Sequence, residues 1–411
     1  MAEYELITLP NGIRVMHKEM TNTKIAHIGI MLDIGSRDEQ EDEQGLAHFW
    51  EHMAFKGTKK RKAYHIIDRL ESLGGELNAY TTKEKICFYA SVLDLHLDKA
   101  VELLADITFH STFPSPQIDK ERMVILEEMS MYQDTPEDAI QDEFDEILFH
   151  QHQLGKNILG NKETVNNFQQ ADFVNFLSRN LHTERIIISS VGNYSLKKLM
   201  RMVDKHIAPI PHKSHNNPRN FFKNYTASSK EVNKSISQSH MAIGTEAFNI
   251  HNTDRIPFFL LTNILGGPGM NSRLNLSLRE KHGYVYGVDA SFSSYIDTGV
   301  FAIFFATDPK NLKKSISLIK KEIEILKKKP LGQIQLHKAK QQLKGQLAMS
   351  EENNNAVMLM MAKSMLDLNR VPNINKMFKT IDEITADQLV SLANVALDWQ
   401  KMCSLTYHGT E

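Results

Sequence analysis

KICFYASV at residues 85–92 and GVFAIFFAT at residues 299–307 are the stretches of sequence that decide the fold. Both are short, apolar and rich in β-branched and aromatic residues, which predicts strands buried in a sheet. Each is followed by a pattern of helical periodicity, at residues 95–110 and 311–329. We therefore interpret the second half of the chain as a diverged copy of the first.

Strand-like and helical patterns alternate in both halves. Residues 6–20, LITLPNGIRVMHKEM, predict a hairpin around a Pro-Asn-Gly turn. Residues 208–233 contain Pro, Asn, Ser and His without apolar periodicity, which predicts an interdomain linker. We expect an α+β protein with two homologous α/β sandwich domains, each an antiparallel-rich sheet flanked by helices. They should span residues 1–207, which carry the paired histidines and acids of a candidate site, and 234–411, whose matching positions carry none.

Length and composition limit the possible functions. With 411 residues the chain is too long for one ordinary core. The 48 Lys and Arg nearly balance the 50 Asp and Glu, so no general attraction to nucleic acid is expected. No stretch reaches the roughly 18 to 20 apolar residues of a membrane span, and no export signal is recognised, so we expect a cytoplasmic protein. Two cysteines, Cys87 and Cys403, leave histidine and carboxylate as the candidate metal ligands.

The sequence HFWEH at residues 48–52 is the first candidate site. On a helix, positions i, i+3 and i+4 share one face, so His48, Glu51 and His52 should project together. Two imidazoles one turn apart can bind one Zn²⁺, and the carboxylate between them lies beside a metal-activated water. Two partly exposed histidines on an ordinary amphipathic helix would give the same pattern. The metal interpretation therefore needs a third ligand.

A second predicted helix, at residues 118–131, offers that ligand. Glu121 and Glu128 are seven residues apart, which places both on one face, whereas Glu127 points about 100° away. A two-histidine catalytic zinc site usually takes a carboxylate as its third ligand. We assign Glu128 to the metal, and Glu121 to orienting a ligating histidine or the base.

At this point the sequence closely resembles the pitrilysin/insulinase family of metallopeptidases, the inverzincins, and within it the processing-peptidase-like branch. The resemblance implies that His48, His52 and Glu128 bind zinc, that Glu51 is the general base and that Glu121 supports the site. It is carried by GLAHFWEHMAFKGT at 45–58, LGGELNAYTTKEKICFYASV at 73–92, ERMVILEEMSMYQDTP at 121–136 and LGGPGMNSRLNLSLREKHGYVYGV at 265–288.

The resemblance also implies roles for residues outside the metal site. Arg279 and Tyr286 match family residues that reach the substrate and the oxyanion, with Tyr284 as an alternative tyrosine; a strand whose aromatic residues pack in a core is the other interpretation. Asn78 and Ala79 match an edge strand that pairs with an extended peptide. The preceding double glycine would equally suit an ordinary turn.

We therefore predict a zinc-dependent endopeptidase that hydrolyses peptides or unstructured protein segments, with a metal-activated water and a glutamate base. The resemblance implies that chains of this size pair, so a homodimer is expected, without nucleic-acid or membrane partners. The alternative function is a non-catalytic scaffold, or a partner-dependent subunit of a heteromeric processing peptidase.

Overall fold

The computed structural model describes residues 4–214 and 217–409 of the chain. Within these ranges the strands form two sheets. The first sheet contains β1 (Glu5–Thr8), β2 (Arg14–Glu19), β3 (Ile25–Leu32), β4 (Glu76–Thr81), β5 (Ile86–Leu93) and β6 (Ile186–Gly192). The second contains β7 (Ser229–Lys234), β8 (Ser239–Ala247), β9 (Val285–Ser294), β10 (Gly299–Thr307) and β11 (Cys403–Gly409).

The helices also form two groups along the chain. Those before β7 are α1 (Leu46–Ala54), α2 (Ala63–Glu71), α3 (Leu97–Phe109), α4 (Ser115–Asp134), α5 (Pro136–Leu148), α6 (Lys162–Asn167), α7 (Gln170–Asn180) and α8 (Leu196–His206). Those after β8 are α9 (Arg255–Gly266), α10 (Leu312–Lys328), α11 (Gln333–Glu351), α12 (Asn354–Leu368), α13 (Ile374–Glu383) and α14 (Ala386–Ala396). In the described part of the chain, none of them combines the length and apolar character that crossing a membrane requires.

Over the described residues, the two sheets share one topology except for β1, which has no counterpart in the second sheet. The strand orders are β1-β2-β6-β3-β5-β4 and β7-β11-β8-β10-β9. Each sheet has one parallel pair, β2 with β6 and β7 with β11, and its other neighbours are antiparallel. The strands β5 and β10, predicted to match from their sequences, occupy equivalent positions. The predicted α+β fold with two sheets flanked by helices is confirmed.

The two compact units are not the continuous segments 1–207 and 234–411 that the sequence led us to expect. Each half of the chain gives one helix to the other unit, so that α12 belongs to the first unit and α5 to the second. The first unit comprises the described residues up to Ser130, then Lys156–Arg219 and Ser350–Val371. The second comprises Met131–Gly155, Asn220–Met349 and the described residues from Pro372 onward.

The exchanged helices are held by apolar side chains. In the first unit Met358 and Met361 of α12 pack with Met31 and Cys87 of the sheet. In the second unit α5 packs in the same way against β8 and β11. Successive side chains of a strand point to opposite faces, so the neighbour of Cys87, Phe88, packs on the other face of the first sheet. Both faces of the sheet are therefore covered, which explains the continuous apolar run in β5.

The chain passes from one unit to the other at several points. One of them, between Arg219 and Asn220, lies inside the predicted linker, residues 208–233. The linker prediction nevertheless covered too much of the chain, because β7 begins at Ser229 and pairs in parallel with β11. Most side chains of β7 are exposed and Val232 is its single apolar residue. A polar edge strand of this kind lacks the alternation by which strands are recognised in a sequence.

Three positively charged side chains surround Asp33, the residue that follows β3. The carboxylate of Asp33 accepts hydrogen bonds from Nε of Arg185 at 3.0 Å and from Nη1 of Arg219 at 2.9 Å, and Nζ of Lys85 lies 3.9 Å away. Burial alone would raise the pKa of Asp33, but the three cations lower it to about 2. Its folded-state pKa therefore lies below its ordinary value of 3.8. The resulting stabilisation is present above about pH 4 and is lost as the pH falls towards about 2.

Replacement of Asp33 by asparagine should lower the free energy of unfolding by at least about 2 kcal/mol at neutral pH. The difference from the wild type should shrink between about pH 4 and pH 2, because the wild-type carboxyl is then protonated. Urea unfolding of both proteins across this range measures the effect. The control is Asp119→Asn, since the Asp119 side chain is 70% exposed and should change stability by less than about 0.5 kcal/mol. A penalty for Asp33→Asn that does not depend on pH would contradict the charge account.

Candidate metal centre

Helix α1 begins at a position that favours glycine. Gly45 has a φ of +94°, and a Cβ atom on it would lie 2.5 Å from the carbonyl oxygen of Leu159. The N–H groups of Gly45 and Ala47 donate to the carboxylate of Glu39, at 3.0 and 2.7 Å. A carboxylate at this end satisfies free N–H groups and interacts favourably with the helix dipole. Together these contacts fix where the helix that carries HFWEH starts.

The two sides of α1 have different environments. Phe49 and Trp50 are completely buried. The ring of Phe49 lies 5.2 Å from that of Phe173, and the ring of Trp50 lies 5.5 Å from that of Phe88 on the first sheet. The histidines and the glutamate of the motif occupy the other side of the helix, as their spacing predicts. Aromatic packing therefore orients the polar side of the helix.

Glu128 of α4 lies beside the two histidines. Its Oε2 atom is 3.8 Å from Nε2 of His48 and 3.6 Å from Nε2 of His52. Tetrahedral Zn²⁺ with bonds of about 2.0–2.2 Å separates its ligands by roughly 3.3–3.5 Å, so only small movements would be needed. Among the residues that the structure describes, these three form the group of His, Cys or carboxylate side chains able to hold a metal ion.

Glu121 contacts Nδ1 of His52, the ring nitrogen that does not face Glu128. Its Oε2 atom lies 3.1 Å from Nδ1 of His52, and Nε2 of the same ring faces Glu128. The second oxygen of Glu121 pairs with Nζ of Lys56 at 2.6 Å. A carboxylate that accepts a hydrogen bond from Nδ1–H fixes the tautomer and directs the lone pair of Nε2 towards a metal. The structure thus places Glu121 where an orienting carboxylate would act.

Burial controls the protonation of these groups. Burial, with a smaller effect of the neighbouring His52, lowers the pKa of His48 to about 3. Burial raises the pKa of Glu128, against the opposing charge of His52. Burial would also raise the pKa of Glu121. Hydrogen bonds with His52 and Lys56, together with the charges of these two residues, outweigh burial and lower the pKa below its ordinary value. A neutral imidazole is the metal-binding form, and a bound cation would favour ionised Glu128.

Glu51 forms a hydrogen bond with Thr81 of the first sheet and not with the two histidines or Glu128. Its Oε2 atom accepts a hydrogen bond from Oγ1 of Thr81 at 2.6 Å. Burial raises the pKa of Glu51, although the hydroxyl of Thr81 and the charge of His52 oppose that shift. A carboxyl group with a raised pKa is a better match for proton transfer near neutral pH. Glu51 is therefore suited to exchange protons beside the histidine pair.

Asn78 and Ala79 lie in β4, the edge strand of the first sheet. The strand pairs with β5 on one side, and the register places Asn78 opposite Tyr89. Thr81, the last residue of β4, is the one that contacts Glu51. An edge strand thus ends next to the candidate base.

Arg279 and Tyr286 belong to the second unit. Arg279 lies in a π-helix, Asn275–Lys281, and Tyr286 lies in β9. Tyr286 is 88% exposed, and Cζ of Arg279 is 5.5 Å from the centre of its ring. Tyr284 instead packs against the core of the second unit. Tyr286 is thus the tyrosine whose ring is open to a ligand, and its role remains a prediction.

Sequence reasoning missed two residues that contact the predicted set. Lys56 lies two residues beyond the end of α1, and its contact with Glu121 depends on how α4 packs beside that end. The contact of Thr81 with Glu51 depends in the same way on how the sheet packs against α1.

Comparison with known proteins identifies the family. A profile described as insulinase (peptidase family M16) matches residues 14–162, and one described as peptidase M16 inactive domain matches residues 167–343. A Bacillus subtilis (strain 168) protein named uncharacterized zinc protease YmxG is 31% identical over 400 residues, which cover 94% of each chain. The chain belongs to peptidase family M16. A Rickettsia felis member named uncharacterized zinc protease is 32% identical, over 95% of this chain and 94% of its own.

Solved structures share the fold of this M16 chain. A Pseudomonas fluorescens structure described as a peptidase M16 inactive domain superposes with a TM-score of 0.90 at 20% identity, over 99% of this chain and 98% of that one. A Helicobacter pylori protease superposes with a TM-score of 0.92 at 22% identity, over 99% and 100%. The profile matches and the Bacillus subtilis relative confirm the family resemblance seen in the sequence motifs.

Gly45→Ala should destabilise the M16 chain by more than about 1–2 kcal/mol, because alanine is strained at positive φ and its Cβ would meet the backbone of Leu159. Thermal and urea unfolding measure the loss. Gly345→Ala is the matched control: Gly345 lies within α11, and an added Cβ meets nothing within 4 Å. That variant should be stabilised by roughly 0.5–1 kcal/mol. Equal effects of the two substitutions would contradict the assigned role of Gly45.

Proposed function

We propose that this M16 protein is a zinc-dependent endopeptidase that hydrolyses peptides or unstructured protein segments. The observation that carries the proposal is the convergence of Nε2 of His48 and Nε2 of His52 on one oxygen of Glu128. The carboxylate of Glu51 is borne by the same helix face, where a general base is needed. The names of the relatives, which call them zinc proteases, support this choice of metal and reaction.

The donor set suits Zn²⁺. Two imidazole nitrogens, one carboxylate oxygen and an open fourth position for water are typical of catalytic zinc sites. His48, His52 and Glu128 would hold the ion, and Glu121 with Lys56 would keep His52 in its orientation. When bound, Zn²⁺ would lower the pKa of a water molecule to about 7 and would polarise the substrate carbonyl.

Glu51 performs the proton transfers in this proposal. It accepts a proton from the attacking water and then delivers a proton to the leaving amine nitrogen. Burial raises the pKa of Glu51, which suits both steps near neutral pH. General acid–base catalysis of this kind contributes roughly 10²–10⁴-fold to a rate.

The edge strand β4 provides a binding mode for the substrate. An extended peptide can add to a free sheet edge through main-chain hydrogen bonds, which need no particular side-chain sequence. Asn78 is exposed on this strand and can contact the added peptide. The proposal therefore favours unstructured segments over folded proteins, because only an extended backbone can pair in this way.

Glu51→Gln should reduce kcat for a quenched fluorescent peptide by at least about 100-fold, because an amide cannot accept the proton. Zinc content, measured by elemental analysis, should remain at the wild-type level since the ligands are intact. His48→Ala is the comparison and should lose both zinc and activity. Unchanged hydrolysis by zinc-loaded Glu51→Gln would refute the mechanism. A zinc-loaded wild type that cleaves no peptide would favour a scaffold or a partner-dependent subunit.

Lys56→Met should weaken zinc binding by roughly 10–100-fold, because Glu121 loses the cation that holds it against His52. Competition with a chromophoric chelator measures the affinity. Lys60→Met is the control: its ammonium side chain is 60% exposed, and its acidic partner, Glu102, lies 4.0 Å away. Equal zinc affinity in Lys56→Met and the wild type would show that this ion pair does not support the ligand.

A further inference from the structure

The turn between β4 and β5 contains three consecutive buried charged residues. Lys83, Glu84 and Lys85 are 5%, 6% and 4% exposed. Lysine and glutamate are almost never this buried unless they are paired, and connecting turns normally lie on the surface. Specific interactions are therefore needed to hold this turn in place.

Two arginines bind the middle of the turn. Nη1 of Arg37 donates to Oε1 of Glu84 at 2.7 Å, and the backbone N–H of Arg37 donates to the carbonyl oxygen of Lys83, also at 2.7 Å. Nη2 of Arg219 donates to the carbonyl oxygen of Glu84 at 2.9 Å. The side chain and the backbone of the turn are thus both bound by these two arginines.

The two lysines extend the anchoring to other elements of the first unit. Nζ of Lys83 donates to the carbonyl oxygen of Lys156 at 2.6 Å. Lys85 forms an ion pair with Asp367 of the exchanged helix α12. Buried ion pairs cost desolvation and tolerate little displacement once formed. The turn is therefore fixed at both of its lysines.

This anchoring determines where Thr81 lies. Thr81 is the last residue of β4 and immediately precedes the turn. The next residue, Thr82, accepts a backbone hydrogen bond from the N–H of Ser36 at 3.2 Å, which fixes the chain directly after Thr81. From this position Oγ1 of Thr81 donates to Oε2 of Glu51 at 2.6 Å.

We propose that Thr81 is a positioning residue for Glu51 and that the buried turn fixes its hydroxyl. The inference rests on the proposed peptidase function. A glutamate side chain has several rotatable bonds. A hydrogen bond from a fixed donor to one carboxylate oxygen therefore holds the group in place while the other oxygen takes a proton. Thr81 also ends the strand proposed to pair with the peptide. One strand therefore places both the substrate backbone and the base.

Thr81→Val tests the proposal, because valine keeps the shape of threonine and lacks the hydroxyl. We expect kcat to fall by about 10–100-fold with KM and zinc content unchanged, since a displaced base slows only the chemical step. Thr81→Ser keeps the hydroxyl and should retain near-wild-type kcat. Thr23→Val is the matched control, because the Thr23 hydroxyl also bonds locally, with the backbone of Ile25, but lies in the loop between β2 and β3 and not in this turn; its kcat should not change.

Two further measurements separate positioning from other roles. In a Glu51→Gln background, adding Thr81→Val should leave the Kd for the uncleaved peptide unchanged, because Thr81 acts through the base. Crystal structures should show the Glu51 carboxylate displaced in Thr81→Val and in place in Thr81→Ser. Wild-type kcat in Thr81→Val, or an undisplaced Glu51, would overturn the proposal, and a weaker Kd would assign Thr81 to substrate binding instead.

The outcomes also distinguish this inference from the proposed function. If the peptidase proposal fails, either the zinc-loaded wild type cleaves no peptide or Glu51→Gln hydrolyses peptide like the wild type. If only the present inference fails, Glu51→Gln is inactive while Thr81→Val remains fully active.

Discussion

One carboxylate oxygen of Glu128 on α4 lies 3.8 and 3.6 Å from Nε2 of His48 and of His52 on α1, and this convergence is the constraint on which the candidate site depends. Polar groups brought together and buried cost free energy unless something compensates them. That cost is visible in the lowered pKa of His48 and the raised pKa of Glu128. A divalent cation would offset it by favouring a neutral imidazole and an ionised carboxylate at once.

The proposed ligands and the proposed base are each held by a separate set of interactions. Glu121 and Lys56 hold His52, and the hydroxyl of Thr81 holds Glu51. The helix start is fixed by the carboxylate of Glu39. Support of this kind keeps reactive groups within the small tolerance that catalysis allows.

Local spacing could bring together the residues proposed as ligands, whereas their supporting contacts required the structure. The i, i+3, i+4 pattern of the histidine motif and the seven-residue spacing of Glu121 and Glu128 are properties of single helices, so the sequence contains them directly. The contact of Thr81 with Glu51 depends on packing between a sheet and a helix. The exchange of α5 and α12 was missed for a similar reason: an apolar helix face predicts burial without saying against which sheet. The strand β7 was missed because its exposed side chains show no alternation.

Anomalous diffraction at the zinc absorption edge, from crystals of the protein loaded with zinc, tests the central claim most directly. The account predicts a single strong peak about 2.0–2.2 Å from Nε2 of His48, Nε2 of His52 and one oxygen of Glu128. Stoichiometric zinc at another place in the chain, or at the histidine pair without Glu128 as a ligand, would contradict it.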